Sequence, residues 1–334
     1  MSAAMGDAMR VATFNLDCFG AGTAAAPDAD TRIPALRNAL TRLRADILCL
    51  QEVNAQSDPT RRRRPRSLEA LDHLVRGTIY EGFDWCVSIG QDRHGPLDVH
   101  NLMVLSRYRI GEHRQFWHDM VSPPVHRSAT ADPPPDPPFE HRWDRPVIYA
   151  ALELDGKPPL HVFNLHLRAP LAAFVPGQKA SPFIWKTARG WAEGFYLATL
   201  KRVGQALEAR FAVDAILDAD PEARIIVCGD MNADAFEMPV RILRADVEDT
   251  GNPGLADRML VPVERIAPEA DRYTVIHAGH KYMLDHILVS RALSETCRKV
   301  EIHNADLPDE VFDEDALGDA LGSNHAPLVA EFDI

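Results

Sequence analysis

No run of apolar residues in this sequence approaches the ~18 that a membrane-spanning helix requires. The first residues, MSAAMGDAMRVATF, contain no apolar stretch of the secretory kind and carry Asp7, which argues against an export signal. Cysteine is sparse and unpaired. Cys18, Cys49, Cys86, Cys228 and Cys297 form no C-x-x-C motif, and two of them sit inside apolar runs, DILCLQ and IIVCGD. That spacing points to buried free thiols rather than disulfides or zinc, and so to a reducing, cytoplasmic setting. Positive charge is also short: 36 Lys and Arg face 49 Asp and Glu, a net charge of −13. A broad basic footprint for duplex DNA is thereby excluded. Nucleic acid as a substrate is not, because an enzyme needs only a local basic or metal-charged cleft. The phosphate loop G-x-x-x-x-G-K-[ST], the dinucleotide turn G-x-G-x-x-G and the serine-hydrolase elbow G-x-S-x-G are all missing. Nucleotide-driven motors, dinucleotide dehydrogenases and serine hydrolases therefore have no support.

What is present suits a sizeable globular core. The 334 residues are 46% hydrophobic and 25% charged, and a core of this size needs no disulfide or metal staple. Short runs rich in Val, Ile and Leu, bounded by turn residues or charges, predict strands at 10–15, 46–52, 101–106, 147–154, 160–166, 223–230, 284–290 and 326–332. VIYAALEL and LHVFNLH read as antiparallel neighbours around the DGKPP turn. Apolar residues at three- and four-residue spacing predict helices at 32–43, at 67–79 and over roughly 190–217. Hairpins mixed with helices imply an α+β fold of stacked sheets with helices outside, not a regular βαβ series. No repeat or linker divides the chain, so residues 9–334 are expected to form one domain after a disordered 1–8. Four segments read as excursions: the basic run TRRRRPR (60–66); the stretch 121–139, an extended, poorly packed loop containing DPPPDPPF; the aromatic and basic loop 168–189; and the acidic 306–319, a solvated loop or short helix.

Polar residues placed where apolar strands end are the informative feature, because such positions lie on the rim of a sheet. Asn15 follows VATF, Glu52 ends ILCLQE, His166 follows VFNL, Asp230 and Asn232 follow IIVCG, and His325 lies in GSNHAP; Asp285 enters the strand LDHILV. Singly, each has a structural explanation: a turn, a helix cap, a satisfied core histidine. Together they are the inventory for metal-assisted hydrolysis of a phosphate ester. Glu52 and Asp230 offer hard anionic oxygens with no sulfur nearby, which suits Mg²⁺ or Mn²⁺. Asn15 and Asn232 can bind metal, water or phosphate oxygen without adding repulsion. Two histidines and a carboxylate supply proton transfer and positive charge. His277, His280 and His286 lack acidic or cysteine partners at metal-ligand spacing, and His286 is expected on the other face of its strand.

The ordered series TFN, LQEV, LSRY, NLHL, GDMNAD, LDHILVS and SNHAPL resembles the endonuclease/exonuclease/phosphatase superfamily, the deoxyribonuclease I-like fold. The motifs run from Asn15 to Leu328, nearly the whole chain. The resemblance implies a four-layer αββα sandwich of two mostly antiparallel sheets and a Mg²⁺- or Mn²⁺-dependent phosphodiesterase or phosphomonoesterase using metal-activated water. It implies that Glu52 is the principal metal ligand, with Asn15 assisting at the metal or phosphate. Asp230 would orient or activate the attacking water near the metal, and Asn232 would hold that water or a phosphate oxygen. His166 would bind and polarise the scissile phosphate. His325 would be the catalytic histidine, with Asp285 fixing its tautomer. Arg145 would contact phosphate. One position departs from the family pattern: Ser323-Asn324-His325 stands where Ser-Asp-His is usual. Asn324 can offer the metal an amide oxygen but no formal charge.

For the substrate, the leading expectation is nucleic acid. TRRRRPR, soon after Glu52, is either a phosphate-contacting run or a solvated loop. The aromatics and bases of 168–189 either stack bases and hold phosphates or seal a small core. A phosphomonoesterase or lipid-headgroup hydrolase on the same scaffold is the alternative, and a non-catalytic scaffold the third. The oligomeric state is not encoded in any pattern found.

Overall fold

The computed structural model describes residues 8–20, 29–57, 65–312 and 322–334. Twelve strands carry the two large sheets: β1 Ala8–Phe19, β2 Ile47–Val53, β3 Asp84–Val87, β4 Asn101–Ser106, β5 Arg109–Phe116, β6 Val147–Glu153, β7 Leu160–His166, β8 Arg224–Asp230, β9 Leu260–Pro262, β10 Asp285–Ser290, β11 Cys297–Ile302 and β12 Leu328–Asp333. One sheet has the order β11-β12-β1-β2-β4-β3, the other β9-β10-β8-β7-β6-β5. Each contains a single parallel pair, β1–β2 and β7–β8, and is otherwise antiparallel. The predicted hairpin around DGKPP is the β6–β7 pair.

Period-two alternation builds the layers. In β2, Ile47 and Cys49 face the second sheet, and Leu48 and Leu50 face outward; in β8, Ile226 and Cys228 face inward, and Ile225 and Val227 outward. The inner faces form one core between the sheets. The outward face of the first sheet packs on α1 (Ala29–Leu43) and α2 (Glu69–Val75), through Leu36, Leu40, Leu71 and Leu74. The outward face of the second packs on α3 (Ala188–Ala219) and α4 (Met238–Arg244), through Ala206, Ala209, Val213 and Leu243. The result is the four-layer αββα sandwich. All five cysteines are free, with Cys49, Cys86 and Cys228 buried. No helix among the described residues is long and apolar enough to cross a membrane.

The excursions are more tied down than their composition suggests. In the stretch 121–139 most side chains are exposed, as expected. Yet Glu193 of α3 accepts hydrogen bonds from the amides of Ala129 and Thr130 and from the Ser128 hydroxyl. The loop 168–189 contains a short hairpin, Lys179–Ser181 with Ile184–Trp185. Of TRRRRPR only Pro65 and Arg66 fall among the described residues, as does the acidic segment up to Phe312. Of the expected disordered tail 1–8, only Ala8 is described, and it begins β1.

Candidate active site

Parallel β1 and β2, and parallel β7 and β8, run toward the same rim, where antiparallel β10 begins. Register then places Asp230 directly beside His166 on one side and Asp285 on the other. Gly229 makes this close approach feasible. Its φ is +131°, and a Cβ there would lie 1.9 Å from the Leu165 carbonyl oxygen. Glu52 sits in a bulge, where the pairing of β2 slips against both neighbours, and holds φ at +57°. Asp17, Cys18, His100 and Asn232 are also left-handed. Five non-glycine residues in that region around one rim are strain of the kind that concentrates at functional sites.

The side chains converge. Asn15 Nδ2 donates to Asp230 Oδ2 at 2.9 Å and to Glu52 Oε1 at 3.2 Å, joining the two sheets. Its Oδ1 accepts from the Asp17 amide at 2.9 Å. Asn15 thus bridges the two carboxylates through its amide hydrogens and turns its oxygen to the Asp17 amide. Asn232 donates its backbone amide to Asp230 Oδ1 at 2.8 Å and its Nδ2 to Asp230 Oδ2 at 3.1 Å, so it orients that carboxyl group.

Arg145 Nη1 donates to His166 Nδ1 at 2.9 Å. A guanidinium cannot accept, so the ring proton belongs on Nε2. That nitrogen lies 3.3 Å from Asp230 Oδ2 and 3.5 Å from Glu52 Oε1. Burial, reinforced by the Arg145 charge, holds His166 well below the ordinary histidine range, so the ring is a neutral donor. Arg145, expected to touch phosphate, is instead buried behind His166 and fixes its tautomer.

The remaining charges are driven apart. Burial raises the Asp230 carboxyl to about 7, with Asp285 and Glu52 adding to the rise and His325 opposing it. Burial also pushes Glu52 upward, but His100, His166 and the Cys18 thiol outweigh it and hold Glu52 well below the usual carboxylate range. His100 Nδ1 is 3.2 Å from Glu52 Oε2, and the Cys18 amide donates to the same oxygen at 3.0 Å. His325 Nδ1 meets Asp285 Oδ2 at 2.8 Å. Burial pulls His325 down, but Asp285, Asp230 and Glu52 together hold it well above the ordinary histidine range. Asp285 is steadied in turn by the Thr274 hydroxyl, which accepts from its amide at 3.1 Å.

Glu52, His166 and Asp230 each offer a ligand atom within 4.8 Å of the others; Cys18, Glu52 and His100 form a second such group, and Asp230, Asp285 and His325 a third. Buried oxygens without hydrogen-bond partners, Asp285 Oδ1 and Asn324 Oδ1, border the cluster. The three groups together hold three carboxylates, three imidazoles and one thiol, a set with orphaned acceptors that fits a divalent cation. Cys18 Sγ, 3.0 Å from Glu52 Oε2, brings a sulfur to a site expected from the sequence to have none nearby. Asn324 turns its amide toward Asp17, donating to Oδ2 at 3.0 Å.

Three residues at this rim escaped the sequence reading: Asp17, Cys18 and His100. The signal for His100 was available, since it precedes the strand NLMVLS just as Asp285 opens LDHILV. His286 lies on the far face of β10, buried, with Nδ1 2.6 Å from Glu264 and Nε2 2.9 Å from the Ala233 carbonyl, outside the cluster as expected. A cavity of about 850 Å³ between α3 and α4 is not the site either, because Arg210, Arg241 and Arg258 in its walls are each paired with an aspartate.

A family model described as the Endonuclease/Exonuclease/phosphatase family matches residues 12–325. The chain belongs to the endonuclease/exonuclease/phosphatase family. Its members are hydrolases of phosphate esters, typically dependent on a divalent metal, and the chain is an enzyme of that kind. Similar solved structures include truncated TDP2 from Caenorhabditis elegans, with a TM-score of 0.57 at 15% identity over 98% of each chain. Mannosyl-6-phosphatase Bt3783 from Bacteroides thetaiotaomicron has a TM-score of 0.55 at 15% identity, over 96% of this chain and 98% of that one. An AP endonuclease from Archaeoglobus fulgidus has a TM-score of 0.50 at 18% identity, over 98% of this chain and 100% of that one. At these identities the likeness speaks for the endonuclease/exonuclease/phosphatase fold. No curated protein matches the sequence itself.

Proposed function

We propose that the protein is a Mg²⁺- or Mn²⁺-dependent phosphodiesterase that cleaves nucleic acid by attack of water on phosphorus. The observation that supports this reading is the convergence at one rim of Glu52, Asp230 and His166, whose ligand atoms lie within 4.8 Å of one another, with the Asp285–His325 pair beside Asp230. His325, held protonated beside Asp285, serves as the acid, and Asp230, hydrogen-bonded by Asn232, faces the attacking water.

A divalent cation held by Glu52 and Asp230, with Asn324 and Asp17 beside it, would neutralise the phosphate oxygens and the charge growing on them. Asp230 receives a proton from the attacking water, and the backbone and side-chain amides of Asn232 hold the carboxyl in line for it. His166 donates its Nε2 proton as a hydrogen bond to a non-bridging oxygen, with Arg145 keeping that proton in place. His325 delivers its Nε2 proton to the departing oxygen, while Asp285 holds Nδ1. Such acid–base help contributes ~10²–10⁴-fold.

The test is an activity panel with single- and double-stranded DNA, RNA, bis(p-nitrophenyl) phosphate and several phosphomonoesters, in Mg²⁺, Mn²⁺ or EDTA. Hydrolysis of diesters, lost in EDTA and restored by either metal, is expected. Full activity in EDTA would overturn the metal requirement. Turnover of monoesters with none of diesters would replace nucleic acid by a small phosphate ester as substrate.

A further inference from the structure

The loop 168–189 and the first turns of α3 form a surface that the catalytic rim does not use. Between Arg168 and Arg202 the chain has six Lys and Arg and a single acid, Glu193; Arg168 and Lys201 pair with Asp144 and Arg202 is buried, which leaves Lys179, Lys186 and Arg189 for the surface. Glu193 is turned away into the segment 126–130, where Ser128, Ala129 and Thr130 donate to it and His126 Nε2 lies 2.8 Å away. Lys179 and Lys186 donate to the carbonyls of Pro182 and Gly177, which carry no charge to neutralise them.

Aromatic rings stand exposed among these charges. Phe183, at the hairpin tip, is 93% exposed, Phe174 is 69% exposed and Trp191 is 48% exposed. Trp191 stacks on Phe195 one turn along α3, with ring centroids 5.6 Å apart. Lys179 Nζ lies 4.1 Å over the Trp185 ring. The hairpin is seated firmly, because Gly190 and Gly194 leave room on α3. A Cβ at Gly194 would lie 2.7 Å from the Trp185 ring, and one at Gly190 would lie 2.4 Å from Gln178. Ring exposure here is therefore a property of a fixed surface.

That surface is bolted to the rim. Arg202 donates to the Asn232 carbonyl at 2.6 Å; Gln205 accepts from the Arg168 amide at 3.1 Å and donates to the Arg145 carbonyl at 3.0 Å. From Arg202 back to Trp191 is roughly 16 Å along the helix.

We infer that the hairpin at 179–185 and the Trp191–Phe195 face of α3 are a docking platform for a single-stranded polynucleotide whose scissile phosphate lies at the rim. The inference rests on the phosphodiesterase reading above and adds the form of the substrate. Cationic groups suit a polyanion. Exposed rings suit bases whose faces are free, which a duplex conceals and a single strand presents. Lys179 over Trp185 and Trp191 against Phe195 are the cation–ring and ring–ring contacts that phosphates and bases extend, and a lipid surface, which rings and cations also suit, is the competing occupant that the test separates.

Binding of a fluorescein-labelled oligothymidylate, followed by anisotropy in EDTA, tests this without turnover. Wild-type protein should bind the single strand more tightly than a duplex of equal length. The F183S/W191S variant should bind it about tenfold more weakly or worse. The K186S/R189S variant should flatten the salt dependence. Thermal melts and bis(p-nitrophenyl) phosphate hydrolysis should stay at wild-type values in both, since all four side chains lie away from the rim. Unchanged oligothymidylate binding in F183S/W191S would overturn the platform, as would equal affinity of the wild type for duplex. So would binding of the wild type to phosphatidylserine vesicles, lost in F183S/W191S, with no binding of oligothymidylate. Failure of the wild type to hydrolyse any diester, with oligonucleotide binding as expected, would overturn the activity and leave the platform standing.

Discussion

Gln51 Nε2 donates to Asn164 Oδ1 at 2.7 Å across the interface between the two sheets. Asn164 returns the connection, donating from Nδ2 to the carbonyls of Leu50 and Met103, both at 2.9 Å. Gln51 immediately precedes Glu52, and Asn164 lies two residues before His166. One buried amide pair thus fixes the separation of a carboxylate on the first sheet from a histidine on the second.

Replacing Asn164 by Leu should cost about 2–4 kcal/mol, because Gln51 and two carbonyls lose their partner in a layer that excludes water. Urea titration should show a lowered midpoint. Turnover should fall further than the loss of folded protein explains. An unchanged midpoint would show that the sheets hold their spacing without this pair.

On the proposed reading, Asp230 should couple metal uptake to protons. Its value in the folded protein is about 7, above the 3.8 of an unperturbed aspartate. Its contribution to stability is therefore complete below pH 3.8 and is lost as pH rises through 7, at up to about 1.4 kcal/mol per pH unit between them. A cation replaces the proton, so Mg²⁺ should raise the melting temperature more at pH 8 than at pH 5.5, and calorimetry should detect proton release on binding. An equal rise at both pH values would remove Asp230 from the metal's neighbourhood.

The His325–Asp285 pair should appear in the pH profile. With His325 as the acid, kcat should fall on the alkaline side as the imidazolium loses its proton. Asp285→Asn removes the main charge that keeps the proton there, so this limb should move to lower pH. His325→Ala should lower turnover by roughly 10²-fold or more. The double variant should be little worse than either single one, because the two act as a unit. Multiplicative losses would show that they act separately.

Much of this arrangement is written in local sequence, and the exceptions share a cause. NLMVLS and LHVFNLH are strands to the residue because both faces of each are buried, giving unbroken apolar runs. The strands without such a signal are β3, β5, β9 and β11, the four outer edges of the two sheets. An edge is half solvated, and segments such as RIGEHRQF and CRKVEI are polar accordingly. In the site, the residues at strand ends were legible, whereas the bonds among them were not. Nothing in the spacing shows that Asn15 points its amide hydrogens at Glu52 and Asp230, or that Arg145 stands behind His166. Those follow from which strands become neighbours.

Asn324→Asp should tighten metal binding. The amide now donates to Asp17 at 3.0 Å. An aspartate there adds a negative charge beside a carboxyl that burial and Glu52 already raise. Opposite charges at ~4 Å attract by ~4 kcal/mol at an effective dielectric of 20, before desolvation and repulsion are subtracted. The Mg²⁺ concentration for half-maximal activity should fall, about tenfold for a net gain of ~1.4 kcal/mol, and the metal-free variant should melt earlier. An unchanged metal midpoint would place Asn324 outside the cation's reach.

The antiparallel pairing of β1 with β12 brings Thr13 opposite Leu328, and the Ser323 hydroxyl donates to the Asn15 carbonyl at 2.8 Å. Asn15 and His325 are thus joined by contacts between the first strand and the last. A chain emerging from the ribosome holds Asn15, Glu52, His166 and Asp230 well before it holds His325 and the strand β12 that follows it. Closing so long a loop is a late and slow event in folding. The rim is therefore gathered in two stages, most of its residues being present in the chain before the pairing of β1 with β12 can bring His325 to them.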